Sequence, residues 1–271
     1  MSLNVLKAPY SPSIWAKGIY LGQIFFGKVL SDKKTYILIF VGVLPIIPFI
    51  NESTLTVYDF VEIVTIKDDS RTLIFNFLIL PLICLILGIS AISDEKENKT
   101  ISQLLSRPIK REEIVLVKWI TVLVIGIIIA CLDTLIIYAG LCILINDFTI
   151  FHLDVLFGVW LYVALWVTVY STIFLFLGII IDKNATGWGL AIAYFEAFFG
   201  QFIFGPVANG GNSVYSISNQ LYFVTSEYFL ADYFTFNIPD FEPLVSLIIC
   251  IFLIVGFLLL SMVTMRRKDF P

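Results

Sequence analysis

Six stretches of the chain are nearly free of charge and long enough to be read as membrane helices: Thr35–Ile50, Thr72–Ser93, Trp119–Ile145, Val155–Ile181, Gly187–Ile203 and Leu244–Met265. About 20 helical residues cross roughly 30 Å of hydrocarbon, so long apolar runs of this kind predict spans. Each is expected to be a helix, because a segment in lipid has to satisfy its own backbone hydrogen bonds. The first is short and carries Pro45 and Pro48 near its end, which places Lys33 and Lys34 to snorkel at its start. The fifth ends at Gly205-Pro206 and fits a full span or a re-entrant pair of half-helices equally well.

Composition agrees with the pattern. Of 271 residues, 59% are hydrophobic and only 14% charged, with a mean hydropathy of +0.96. A soluble domain is usually nearer half apolar and a quarter charged, and too little polar sequence remains here to cover the surface of one. The expected fold is therefore all-α, a polytopic membrane protein with six transmembrane helices. Cys84, Cys131, Cys142 and Cys250 all sit inside apolar blocks without metal-ligand spacing and read as small hydrophobes. The apolar stretch in residues 1–30 is broken by Lys7, Lys17 and Lys28, which is not the form of a cleavable signal.

Charge sets the orientation. With the N-terminus inside, all but Lys67 and Arg71 of the 17 Lys and Arg residues fall on internal segments. The cytoplasmic bias of basic residues then predicts a multi-pass cell-membrane protein with both termini cytoplasmic. The segments on the outer side are acidic, as the same rule leaves them. The division expected is a cytoplasmic N-terminus over residues 1–34, a transmembrane domain over 35–265 and a cytoplasmic tail over 266–271. Within residues 12–31, Trp15, Ile19, Leu21, Ile24, Phe25 and Val29 interleave with Lys17, Gln23 and Lys28, which predicts an amphipathic helix lying at the membrane interface. Residues 206–243 form an extracellular segment without Lys or Arg, rich in aromatic residues that belong at interfaces by default.

One internal loop has its own organisation. Between Asp94 and Glu113 the chain reads DEKENKTISQLLSRPIKREE. Thr100 and Gln103 have the spacing of a capping box, and Ile101, Leu104 and Leu105 make an apolar edge on the short helix it opens. Arg107-Pro108 stops that helix, since the residue before proline resists the helical conformation. Glu112 and Glu113 begin the next helix with the acids a helix N-terminus prefers. Ringed by charge at the ends of two spans, this is shaped as a docking knob; an ordinary connector with two solvated charge runs is the plain alternative.

The loop resembles the signature of ABC-transporter permeases of the type-2 exporter family. That pattern runs Glu-x-Glu-x-Gly-Thr, then Leu-Leu-Ser, a proline, an arginine and a later lysine, and this chain supplies Glu95, Glu97, Thr100, Leu104, Leu105, Ser106, Pro108, Arg111 and Lys118 in register. Lys99 stands where the family usually has glycine. Arg266-Arg267-Lys268-Asp269 and the six-span layout are similar to the family's as well. The resemblance implies a permease subunit of an ATP-driven exporter, a homodimer bound to two copies of a separate ABC ATPase. It further implies that the helix around Thr100–Ser106 is a coupling helix seated in a groove of that ATPase, Leu104 and Leu105 filling the groove while Glu95, Glu97, Arg107 and Arg111 pair with charges around it. No Gly-x-x-x-x-Gly-Lys-Ser/Thr phosphate loop occurs in the sequence, so no catalytic residue and no cofactor are expected on this chain, ATP and Mg belonging to the partner. The lipid bilayer is the other partner expected, and nucleic acid is not.

Two acids fall inside predicted spans. Asp133 and Glu196 lie near mid-bilayer, where a charge costs about 2.5–3.5 kcal/mol on insertion scales, with no Lys, Arg or His in any span at that depth. Each is expected either on a translocation pathway or in interhelix hydrogen bonding. They also support the alternative reading, an ion-coupled secondary transporter or channel. A membrane-embedded enzyme has little support, since the one histidine, His152, lies beside Asp154 without metal-ligand spacing.

Overall fold

The computed structural model describes residues 22–28, 31, 33–44, 79–97, 110–145, 152–182, 184–195 and 243–268, with positions 217, 221, 224, 228 and 229. The regular elements among these residues are all helical, as expected. Six helices make the frame: α1 (Lys33–Gly42), α2 (Leu80–Glu97), α3 (Arg111–Ile145), α4 (Leu153–Ile180), α5 (Ala185–Tyr194) and α6 (Pro243–Arg267). Residues 22–28 are helical as well, with Phe25 buried and Gln23 and Lys28 exposed, so this part of the expected amphipathic helix has a covered and an open face.

Among the described residues, three helices are long and apolar enough to cross a membrane: Arg111–Leu144, Leu153–Ile180 and Leu244–Arg267. The other three expected spans continue into residues outside those described: 45–50, 72–78 and 196–203. On α3, Ile120, Val124, Ile128, Leu132 and Ile136 recur at every fourth position and are all exposed, while Val122, Ile125, Ile129 and Ile137 on the opposite face are buried. A bare aliphatic stripe of that length is a liability in water and the natural surface in lipid. At 1.5 Å per residue α3 is about 50 Å long, well beyond the hydrocarbon thickness, so at least one end projects from it.

Helix α4 is the hub, with α2, α3 and α6 all packed on it. Its core is a column of aromatics one turn apart, Tyr162, Trp166, Tyr170 and Phe174, with ring centroids separated by 5.9, 5.0 and 6.0 Å in turn. The α2–α4 packing is close because glycines face it. A Cβ at Gly88 would come within 3.2 Å of the Leu175 nitrogen, and one at Gly178 within 3.1 Å of the Ile89 oxygen. Small residues let helix backbones approach in a membrane and gain dispersion contact. The chain turns from α4 into α5 through Asn184, at φ 56° and ψ 34°, a left-handed conformation that asparagine tolerates better than most residues.

Helix ends differ from the hydropathy boundaries in an informative way. α2 runs through Glu97, four residues past Ser93, so Asp94, Glu95 and Lys96 are helical. α3 starts at Arg111, eight residues ahead of Trp119. The Lys110 backbone N–H donates to Glu113 Oε2 at 3.3 Å, the returning half of a capping box, and Glu112 and Glu113 occupy the first turn. The added turns are charged, and tertiary partners hold them.

Candidate functional site

The C-terminal end of α2 and the N-terminal end of α3 flank residues 98–109 as their stems, and both are tied into the bundle by ionic hydrogen bonds. Lys118, two turns into α3, is 2% exposed and Glu95 6%. The Lys118 ammonium donates to Glu95 Oε2 at 2.5 Å and to the Ala91 carbonyl. It also lies 4.6 Å from the Phe25 ring centroid, a cation–π contact that gains strength from desolvation. One lysine thus joins α2, α3 and the 22–28 helix. Beside the pair is a cavity of about 40 Å³ lined in part by Phe25, Thr35, Ser90, Asp94 and Thr121, polar enough and large enough to hold water.

The far end of α4 is held by two more lysines. Lys96 donates to the carbonyls of Gly178 at 2.8 Å and Ile179 at 2.6 Å, and Lys268, just past α6, donates to those of Ile179 at 2.9 Å and Ile180 at 2.8 Å. Both also reach Asp182 Oδ1, at 3.3 and 2.5 Å. The last carbonyls of a helix have no partner within it and carry the negative end of its dipole, which is where cations belong. Burial, and then the neighbouring Lys268 charge, lower the Lys96 ammonium to about 8 in spite of Asp182. The hydrogen bond from Lys268 is the largest cause holding Asp182 below the usual carboxylate range.

The α6 terminus is closed in the same manner from α3. Arg111 Nη1 donates to the Lys268 carbonyl at 2.8 Å and to that of Arg266 at 3.4 Å, and Arg266 approaches Glu112 at 3.7 Å. Above this layer Trp119 Nε1 donates to Thr172 Oγ1 at 2.8 Å, a further tie from α3 to α4. A displacement of either loop stem therefore has a direct path to the ends of α4 and α6. This is what the arrangement can do: pass on a push.

Of the residues singled out from the sequence, Glu95 and Arg111 enter this network, and both make bonds inside the chain. Glu97 is the last residue of α2. Thr100, Leu104, Leu105, Arg107 and Pro108 lie outside the described residues, as does Glu196. Asp133 is fully buried, and among the described residues neither carboxylate oxygen has a hydrogen-bond partner. It packs against Gly42 of α1 so closely that a Cβ at position 42 would overlap its carboxylate. Lys96 and Asp182 were not singled out from the sequence, and Lys118 and Lys268 had no role there beyond matching the family pattern. The signal for Lys118 was there: a lysine set among Val115, Val117, Trp119 and Ile120 needs a buried partner.

Comparison with known proteins gives one family, described as "ABC-2 family transporter protein", matched over residues 20–270. No curated protein matches the chain.

Proposed function

The chain belongs to the ABC-2 family of transporter proteins and is a membrane permease of an ABC transporter, and we propose that it works as an exporter driven by a separate ATPase docked on the 98–109 loop at the cytoplasmic face. The observation that carries this reading is the double tie of the loop stems. Lys118 and Glu95 fix α2 to α3, and Lys96 and Arg111 reach from those stems to the ends of α4 and α6. A load applied at the loop is thereby shared by the helices that frame any pathway through the bundle.

In this mechanism the permease holds no nucleotide. Two ATPase copies serve a homodimer of permeases, each seating one coupling helix around Thr100–Ser106, with Leu104 and Leu105 in the ATPase groove and Glu97 and Arg107 at its charged rim. Closure of the ATPases on ATP moves the coupling helices, and the stems move α4 and α6 with them. Glu95 acts within this chain, stiffening the stem through Lys118. Membership in an ABC family weighs against the ion-coupled transporter as the reading of the buried acids.

The test is co-expression with a candidate ABC ATPase and reconstitution in liposomes. The ATPase is expected to co-purify with the permease and to be stimulated by it. Leu104→Asp combined with Leu105→Asp is expected to abolish both while the permease stays folded. Intact stimulation in that double variant would falsify the coupling role.

A further inference from the structure

Asp133 remains outside the coupling network, and its surroundings are specific. It is 0% exposed, on a transmembrane helix, and its two oxygens have no hydrogen-bond partner. Among the described residues, the interhelix hydrogen bond that would make it structural glue is not formed. Buried polar groups in proteins are nearly always paired, so one that is not points to a partner that comes and goes.

The walls say what kind of partner fits. One turn to either side of Asp133 on α3, Ile129 and Ile137 are buried, and one turn before Gly42 on α1, Leu38 is buried. A small inorganic cation needs a shell of several oxygens at once; among the described residues these buried neighbours along α3 and α1 are aliphatic, and the adjacent Thr134 spends its hydroxyl on the Ala130 and Cys131 carbonyls. A bulky cation with diffuse charge and apolar flanks is matched by a single carboxylate in such walls.

Access is controlled by α1. Among the described helices α1 packs chiefly on α3, and its other face carries Tyr36, Ile37 and Phe40 at 64%, 60% and 73% exposure. Only a glycine at position 42 allows α1 to lie directly on the carboxylate. The contact closes the site fully, and a modest separation of α1 from α3 opens it.

We propose that Asp133 is the recognition group for a lipophilic organic cation, covered by α1 at Gly42 and uncovered when α1 moves away from α3. This deepens the permease reading and rests on it for the site's use in transport. The binding itself is measured without any ATPase, so a failure here leaves ATP-driven coupling standing, and a failure of ATPase stimulation leaves this site measurable.

The experiment titrates the full chain in lipid nanodiscs with tetraphenylphosphonium by equilibrium dialysis against empty discs, with tetraphenylborate as an anion of the same shape. Saturable binding of the cation alone is expected. It should weaken roughly tenfold or more in Asp133→Asn and Asp133→Ser and stay within about threefold of wild type in Asp133→Glu. Equal binding of both ions, no saturable cation binding, or unchanged affinity in the neutral variants overturns the proposal. Should neither neutral variant fold, the wild-type chain decides. Tetraphenylphosphonium is then expected to protect Asp133 from a lipophilic carbodiimide, read by mass spectrometry of the peptide, and modification unaltered by the cation overturns the proposal equally.

Discussion

Glu95 Oε2 and Lys118 Nζ lie 2.5 Å apart, both side chains nearly closed to solvent, on helices separated in sequence by residues 98–109. Taking two charges out of water costs several kcal/mol each, and their mutual attraction offsets that only while both are present. Removing one partner strands the other. Glu95→Gln or Lys118→Met is therefore expected to destabilise the purified permease by about 3–5 kcal/mol, whereas Glu95→Leu with Lys118→Met together should cost much less. Thermal unfolding in detergent reads the difference. A double variant as costly as the two single changes added together would mean the pair is not coupled.

How much of this was legible in the sequence depends on range. α3, α4 and α6 follow from their apolar runs, because a lone segment in lipid has one way to satisfy its backbone. The start of α3 was visible in Glu112 and Glu113, which a helix N-terminus attracts within a single turn. The helical state of Asp94–Glu97 was not visible, since four charged residues look like loop until Lys118 and the α4 carbonyls are known to hold them. Asp133 was legible as a buried acid from its depth alone. That Gly42 covers it was not, because nothing local links positions so far apart. The same holds for Lys96 and Lys268: a preference for cations at helix C-termini is general, but which lysine serves which helix is decided by tertiary packing.

Arg111 matches the family pattern in the loop and yet spends its guanidinium on the Lys268 and Arg266 carbonyls. Its expected role is transmission. Arg111→Ala frees those two carbonyls, with a modest stability loss of about 1–2 kcal/mol for hydrogen bonds from a charged donor. A partner ATPase should co-purify with this variant as with wild type, while its stimulation by the permease falls. Loss of co-purification with stability intact would instead put Arg111 on the docking surface.

Gly42 and Asp133 set the spacing of α1 from α3. Gly42→Ala places a methyl where the Asp133 carboxylate lies, and forced overpacking of this kind typically costs about 1–3 kcal/mol. Asp133→Ala alone removes the group that collides. The double variant Gly42→Ala, Asp133→Ala is expected to be more stable than the sum of the two single changes allows, because the second makes room for the first. Unfolding midpoints of the four proteins in one detergent close the cycle. Strict additivity would show that α1 and α3 do not meet through these residues.

Asp182 is the anion that Lys96 and Lys268 share, and the pH dependence of losing it has a definite sign. The folded Lys96 titrates at about 8 against an ordinary value of 10.5, so the unfolded chain binds more protons above that pH and the contribution of Lys96 to stability rises as pH climbs from about 8 toward 10.5. Asp182→Asn takes away the charge that favours the protonated lysine, which moves the Lys96 titration lower still. The variant's stability then begins to rise with pH earlier than that of wild type. At pH 7 or below the deficit is largest, on the order of 1 kcal/mol or less because the Asp182 side chain is 66% exposed. It narrows as pH approaches 8 and stays constant above. Melting temperatures of both proteins from pH 6 to 9 give the comparison, and a gap that widens with pH over this range would contradict the shared-anion arrangement.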